Sequence, residues 1–208
     1  MKKIILHLCA DIGSDSRYFD LDDNFKVIKI GADIGVENFS PHGEIYGVIA
    51  NPVCTEFSTA GGFDKCGDLE KGMFLVNHCM RIIKEANPKF WVLENPAKGR
   101  LKEVIGKPKS VYQPWQYGSP WTKQTALWGE FEMPTPLFSK WEGVPKNESL
   151  YIRPSRKKPS LAIMHKSAKE IIPEFEFAKH LINDDMSLRS MCSQGFAKAF
   201  YEANRGVL

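Results

Sequence analysis

Two residues stand where a side chain could do chemistry: a cysteine and a glutamate, each at the end of an apolar run. Cys54 lies in Ala50-Asn51-Pro52-Val53-Cys54-Thr55-Glu56-Phe57-Ser58-Thr59-Ala60-Gly61. The run Tyr46-Gly47-Val48-Ile49-Ala50 before it reads as a buried strand. Asn51-Pro52 ends that strand, because proline has no N–H for the ladder. The thiol therefore emerges at the carboxyl end of a strand, the edge at which open α/β sheets bind ligands. It is a candidate nucleophile; on position alone, burial as a small hydrophobe is the commoner fate of a cysteine. Glu94 follows Phe90-Trp91-Val92-Leu93 and precedes Asn95-Pro96 in the same way. A carboxylate there is costly to bury without a partner, and capping of the following turn is its bland alternative.

The elements that must position these residues follow from the apolar pattern. Ile4–Cys9 reads as a first buried strand, running into the turn Ala10-Asp11-Ile12-Gly13-Ser14-Asp15-Ser16, after which Arg17-Tyr18-Phe19 begins a helix. Strand, glycine turn and polar cap make the nucleotide-binding first turn of doubly wound folds. Phe25–Ile30 alternates like a second strand, and Asp33 just beyond it is placed either to hold a cofactor's ribose or adenine amino group or to serve as a plain loop carboxylate. From Leu69 to Ala86 the apolar positions Leu69, Met73, Val76, Met80 and Ile83 fall on one helical stripe, ended by Asn87-Pro88. Ala126-Leu127-Trp128 is a further strand. Glu174–Ile182 and Gln194–Asn204 read as closing helices. Strand and helix alternate over the first two-thirds, which predicts an α/β fold with a mostly parallel sheet.

Composition bounds the class. The chain has 208 residues, 43% hydrophobic and 25% charged, with a formal charge of +3, so one soluble globular domain is expected and global charge does not announce nucleic acid. The five cysteines (9, 54, 66, 79 and 192) form no CxxC pair. No metal site or disulfide framework is expected, and reduced thiols suit a cytoplasmic setting. Nothing resembles a signal peptide or a membrane span. Residues 132–160 carry five of the 13 prolines and a basic knot, Arg153-Pro154-Ser155-Arg156-Lys157-Lys158-Pro159. Such a knot is usually a solvated surface; downstream of a candidate site it leans toward nucleic acid.

Four stretches, in order, resemble the motifs of the DNA cytosine-5 methyltransferases, most of all the short, divergent members carried by phages. LCADIGSDS is similar to the cofactor-binding turn, PVCTEFSTAG to the nucleophile loop, LENP to the Glu-Asn-Val motif, and YGSPWTKQT to the motif Tyr-Gly-x-Pro-Gln-x-Arg-x-Arg. SQGFAKAF stands where a helix closes the cofactor pocket. The resemblance implies a Rossmann-like, S-adenosylmethionine-dependent methyltransferase sheet with a reduced, irregular recognition segment. Its catalytic domain would comprise residues 1–131 and 186–208, and residues 132–185 would be a truncated recognition-like segment.

Carried over by position, Cys54, Glu94 and Lys123 fall on catalytic places. Cys9, Ala10, Asp11, Ile12, Gly13, Ser14, Asp33, Ile34 and Pro52 fall on cofactor-binding places, and Ser58, Asn95, Trp121 and Thr125 on substrate-binding places. Asp11 stands where the family has glycine, Val53 where it has proline, Trp121 where it has glutamine, and Lys123 and Thr125 where it has arginines. The implied reaction is methyl transfer to carbon 5 of cytosine through a covalent Cys54 adduct, with DNA, duplex or single-stranded, as the partner. Trp121 is expected to offer either a stacking surface or core packing. A protein partner or second copy could supply the missing recognition lobe. Two other readings fit the same residues: an enzyme acting on free cytidine nucleotides, or a degenerate methyltransferase fold that binds nucleic acid, cofactor or a partner without catalysis.

Overall fold

The computed structural model describes residues 1–57 and 67–207. Six short runs form one sheet: β1 (Lys3–Leu8), β2 (Phe25–Ile30), β3 (Ile45–Ala50), β4 (Phe90–Pro96), β5 (Ser110–Tyr112) and β6 (Thr125–Glu130), in spatial order β2-β1-β3-β4-β6-β5. β1 pairs in parallel with β2 and β3, and β3 with β4. β6 is antiparallel to both β4 and β5, so five strands share one direction and β6 alone opposes them. The chain leaves β1 for β2 on one side and returns to β3 on the other. Between the carboxyl ends of β1 and β3 lies the topological switch point, where open α/β sheets bind their ligands.

Both faces of the sheet are covered, which is why its central strands read as continuous apolar runs; β3 is buried at every position. α2 (Leu69–Ala86) and α3 (Leu101–Ile105) pack on one face against Leu6, Leu8, Val48 and Leu93. α1 (Arg17–Asp20) and α5 (Gln194–Asn204) pack on the other against Ile5, Ile49, Phe90 and Val92. This is a Rossmann-like α/β arrangement. Among the described residues no helix is long and apolar enough to cross a membrane.

The long helix α2 starts where Asp68 accepts from the backbone N–H groups of Glu70 (3.0 Å) and Lys71 (3.2 Å), an N-cap. It ends at Asn87, in the left-handed region at φ 42°. Its buried stripe is turned from the expected one: Met80 is 38% exposed, while Cys79 and Ile82 are buried. Gly72 sits on the inward line with Val76, Cys79 and Ile83. A Cβ at Gly72 would lie 2.8 Å from Phe57 Cζ, so bare backbone lets α2 rest on the turn that follows Cys54.

Two expected helices differ from the structure, and one strand was not expected. The helix beginning at Arg17 is a single turn. Strand β5, three residues long, was too short to leave a pattern. The closing helix over 174–182 is instead a 3-10 stretch, Pro173–Ala178, followed by α4 (Asp185–Ser190). There Asp184 and Ser187 form a reciprocal capping box that starts a new helix. These turns gather around a third apolar cluster that includes Trp121, Leu161, Phe175, Leu188 and Met191. A parallel bridge, Thr122 with Ser160, joins that cluster's segment to the loop before β6.

Candidate active site

The loop carrying Cys54 is fastened at both ends. Asn51 N–H donates to Leu8 O (3.0 Å), prolonging the ladder by one residue, and Pro52 then stops it. The buried Asn95 side chain donates to Pro52 O (3.0 Å), clamping the loop to β4. After Cys54, whose carbonyl accepts from Phe57 N–H (3.0 Å), the 3-10 turn Thr55–Phe57 ends in a fully buried phenylalanine. Cys54 itself is half-buried, and its sulfur takes no partner side chain among the described residues.

Glu94 comes to the same place because β3 and β4 are neighbours, with Ala50 opposite Leu93. Burial pushes the Glu94 carboxyl above its ordinary range; Lys123 opposes that shift and Asp15 adds to it. The Cys54 thiol is likewise pushed up, first by burial and then by the Glu94 charge, with Lys123 pulling it back. Burial alone would weaken the hold of Lys123 on its proton. The carboxyl groups of Glu94 and Asp15, then the thiols of Cys192 and Cys54, outweigh it and hold the ammonium group charged. Lys123 Nζ also donates to Ser190 O (2.9 Å) and Met191 O (3.2 Å), binding the end of α4 to the site. Cys54, Glu94 and Lys123 thus form one electrostatic unit.

The turn after β1 is knitted into the protein differently. Cys9 has φ 53°, outside the range of ordinary residues, and its sulfur lies 3.7 Å from Cys79 Sγ on α2. Ala10 N–H donates to Ile30 O (3.0 Å). Asp11 is exposed; one oxygen accepts from Gly13 N–H (3.3 Å) and the other from the Ser190 hydroxyl. Ile12 packs on the third apolar cluster. Gly13, at φ 83°, makes the turn that an L side chain would strain. Ser14 is fully buried, its hydroxyl accepting from Cys192 N–H (3.0 Å) and its carbonyl from Gln194 Nε2 (3.2 Å). Ser14's hydroxyl, which also donates to Asp15 (3.3 Å), and its carbonyl are therefore spent on the protein. Asp33 and Ile34 are exposed beyond the end of β2, and Pro52 is buried with its carbonyl held by Asn95.

The expected base contacts are corrected. Trp121 is 1% exposed and packs on Phe175, with ring centroids 5.4 Å apart; it belongs to the third cluster and offers no stacking face. Thr125 is buried and donates to Lys123 O (3.0 Å), shaping the lysine's backbone. Asn95 is buried, and its side-chain amide clamps the nucleophile loop through Pro52 O. Ser58 lies outside the described residues.

Three site residues were missed. Asp15, pushed up to about 6 by burial and then by Asp11, lines a cavity together with Glu94. Asn51 bonds to the buried His7 (Nε2 to Oδ1, 2.9 Å) and lies near both carboxyl groups, favouring the charged form of each. His7, held also by the Ser16 hydroxyl (2.9 Å), is driven down to about 4 by burial and stays neutral. The only sequence signal for Asn51 was its place at a strand end, and none marked His7. Among the described residues no group of three or more His, Cys, Asp or Glu could hold a metal ion.

No family model matches the chain. Over 102 residues it is 37% identical to a "probable DNA (cytosine-5)-methyltransferase" of Frog virus 3 (isolate Goorha), covering 41% of this chain and 46% of that protein. The chain therefore spans less than half the length of the curated relative it matches. Among solved structures, a prophage-encoded protein of E. coli provisionally assigned as a DNA modification methyltransferase superposes with a TM-score of 0.49 at 16% identity, over 74% of this chain and 56% of that one. Over the matched stretch the chain is similar to a probable DNA cytosine-5 methyltransferase.

Proposed function

We propose that the chain transfers a methyl group from S-adenosylmethionine to carbon 5 of cytosine in DNA, with Cys54 as a transient covalent nucleophile. One observation carries this reading: adjacent strands β3 and β4 bring a thiol and a carboxyl group to the same sheet edge, at the switch point, with one lysine acting on both.

Carbon 5 of cytosine is unreactive while the ring is aromatic. The Cys54 thiolate adds to carbon 6, forming an S–C bond and moving the π pair toward carbon 5. Glu94, in its acid form, donates to ring nitrogen 3 and accepts from the exocyclic amine as negative charge grows there, which stabilises the transition state rather than the ground state. Lys123 favours the thiolate by its charge. After methyl transfer, loss of the carbon 5 proton to water restores the ring double bond and expels the thiolate.

Bound S-adenosylmethionine supplies the electrophilic methyl group. The residues fit that cofactor, which carries a sulfonium and an ammonium charge: the loops after β1 and β2 present Asp11 and Asp33, both exposed. Asp33 would take ribose hydroxyls or the adenine amino group, and the turn from Cys9 to Gly13 would face the methionine part.

Residues 132–185 serve as a reduced recognition segment beside the catalytic part, residues 1–131 and 186–208. Its exposed stretch Arg153–Lys157 offers cations to backbone phosphates. A cytosine in a duplex must be flipped out, at a cost of about a few kcal/mol. The shortness of the segment favours a second substrate reading, single strands or free cytidine nucleotides. Labelled methyl transfer to duplex DNA, single strands and dCMP separates these. Label is expected on cytosine carbon 5 of DNA, and Cys54→Ser is expected to abolish it while calorimetry still detects S-adenosylmethionine binding. Normal methylation by Cys54→Ser sinks the mechanism.

A further inference from the structure

The methyl-transfer steps leave one carboxyl group at the site unused. Asp15 and Glu94 line the same cavity of about 20 Å³, walled otherwise by apolar side chains such as Ile49, Val92 and Leu127 and by Cys192. That is room for about one water molecule, so the two acids line one small, half-open cleft.

Glu94 has a chemical requirement that its neighbours must meet. Ring nitrogen 3 of neutral cytosine is a lone-pair acceptor, so Glu94 can bond to it only while it carries a proton. Lys123 works against this, since an ammonium group near a carboxyl group favours the carboxylate. A second anion in the same cavity works the other way.

We propose that Asp15 is a positioning residue that acts through Glu94, offsetting Lys123 so that Glu94 stays in its hydrogen-bond-donating form for cytosine. This rests on the methyltransferase reading and deepens it.

The charged and polar groups around the pair agree. Asp15 faces Asp11 on its own loop, Lys123 from the loop before β6, Cys192 from the start of α5 and Asn51 from the end of β3. With its carboxyl pushed up only to about 6, Asp15 is ionised at neutral pH. Glu94 faces Lys123, Asp15, Asn51 and Asp11, and burial, its largest influence, acts in the same direction as Asp15. Glu94 acts in turn on Cys54 and Tyr112. His7, bonded to Asn51, is neutral and adds no compensating cation.

The test is Asp15→Asn, close to isosteric but uncharged. Removing the anion makes the Glu94 proton easier to lose, so Glu94 titrates at lower pH. The first readout needs no turnover: carbon-13 NMR of labelled glutamate in the whole free protein, with the Glu94 resonance assigned by Glu94→Gln. A move of its titration to lower pH in Asp15→Asn is expected; no move, or a move upward, overturns the proposal whether or not the protein methylates anything. The second readout is methyl transfer. Its rate at pH 8 relative to pH 6 is expected to fall about tenfold below the parent ratio, by loss of kcat. An unchanged ratio in an active variant also overturns it. If Asp15→Asn does not fold, Asp15→Ser removes the same charge with less bulk and is read the same way. Protein that shows the NMR shift but no methyl transfer in any variant would overturn the methyltransferase reading instead.

Discussion

The loops after β1 and β3 leave adjacent parallel strands at the same switch point, yet they are held in opposite ways. The first is stitched to residues 190–194 chiefly by its side chains, Asp11 to the Ser190 hydroxyl and the Ser14 hydroxyl to Cys192 N–H, with the Ser14 carbonyl adding a bond from Gln194 Nε2. The second is held by its backbone, through Asn51 N–H to Leu8 O, the Asn95 clamp on Pro52 O and the buried Phe57. The difference teaches where chemistry can sit. A loop gripped by its main chain keeps its side chains for a ligand, whereas one gripped by its side chains offers backbone and a few exposed carboxylates.

The largest effect expected from this contrast is at Cys54. Cys54→Ala is expected to cut methyl transfer to background with little change in Tm, because the side chain holds no part of the loop. A drop in Tm comparable to that of a core substitution would break the comparison. Next is Asn95→Ala, which leaves Pro52 O buried without its donor. A cost of about 1–3 kcal/mol in stability and a fall in kcat on the order of 100-fold from misplacement of the thiol are expected, with the affinity for S-adenosylmethionine nearly unchanged by calorimetry. Equal losses of kcat and cofactor affinity would mean that the two loops are not independent. Smaller again is Ser14→Ala on the stitched side: about 1 kcal/mol by chemical denaturation, with cofactor affinity kept because the hydroxyl faces Cys192 rather than a ligand.

The same contrast explains what could be read from the sequence. β1, β3 and β4 were legible because a sheet covered on both faces writes continuous apolar runs, and the ends of β3 and β4 were marked by prolines. Helices α2 and α5 matched their expected ends, 69–86 and 194–204, since caps and helical spacing are local signals. Cys54 and Glu94 were visible as strand-end residues for the same reason. Asp15, Asn51 and His7 were not, because their meaning lies in contacts between distant parts of the chain, such as His7 with Asn51, 44 residues on. Trp121 stayed undecided between a stacking surface and core packing because its segment has no periodicity to say which way a side chain faces; its burial depends on Phe175 and Leu161, far along the chain.

The smallest effect concerns Glu174, which locks the stitched side from behind. Its carboxylate accepts from Gln194 N–H (2.6 Å) and from the Ser119 hydroxyl (3.2 Å), next to the residues that grip Ser14. Burial pushes its carboxyl up from 4.5 to about 7, against the pull of those two hydrogen bonds. The folded protein therefore keeps a proton between about 4.5 and 7 that the unfolded chain has given up. Stability from this group is complete below 4.5 and declines as pH rises to about 7. His7 has the opposite sign. Its folded value of about 4 lies below the ordinary 6.5 of a histidine, so the unfolded chain binds the proton first and stability falls as pH drops through that window. The two slopes partly cancel in the parent. Glu174→Gln removes one of them while its amide can still accept from Gln194 N–H and reach Ser119. The Tm of the variant minus that of the parent should thus climb between pH 4.5 and 7 and level off above. A difference that stays flat across that range would show that Glu174 does not titrate in the folded state, and that the stitching around Ser14 is not sensitive to pH.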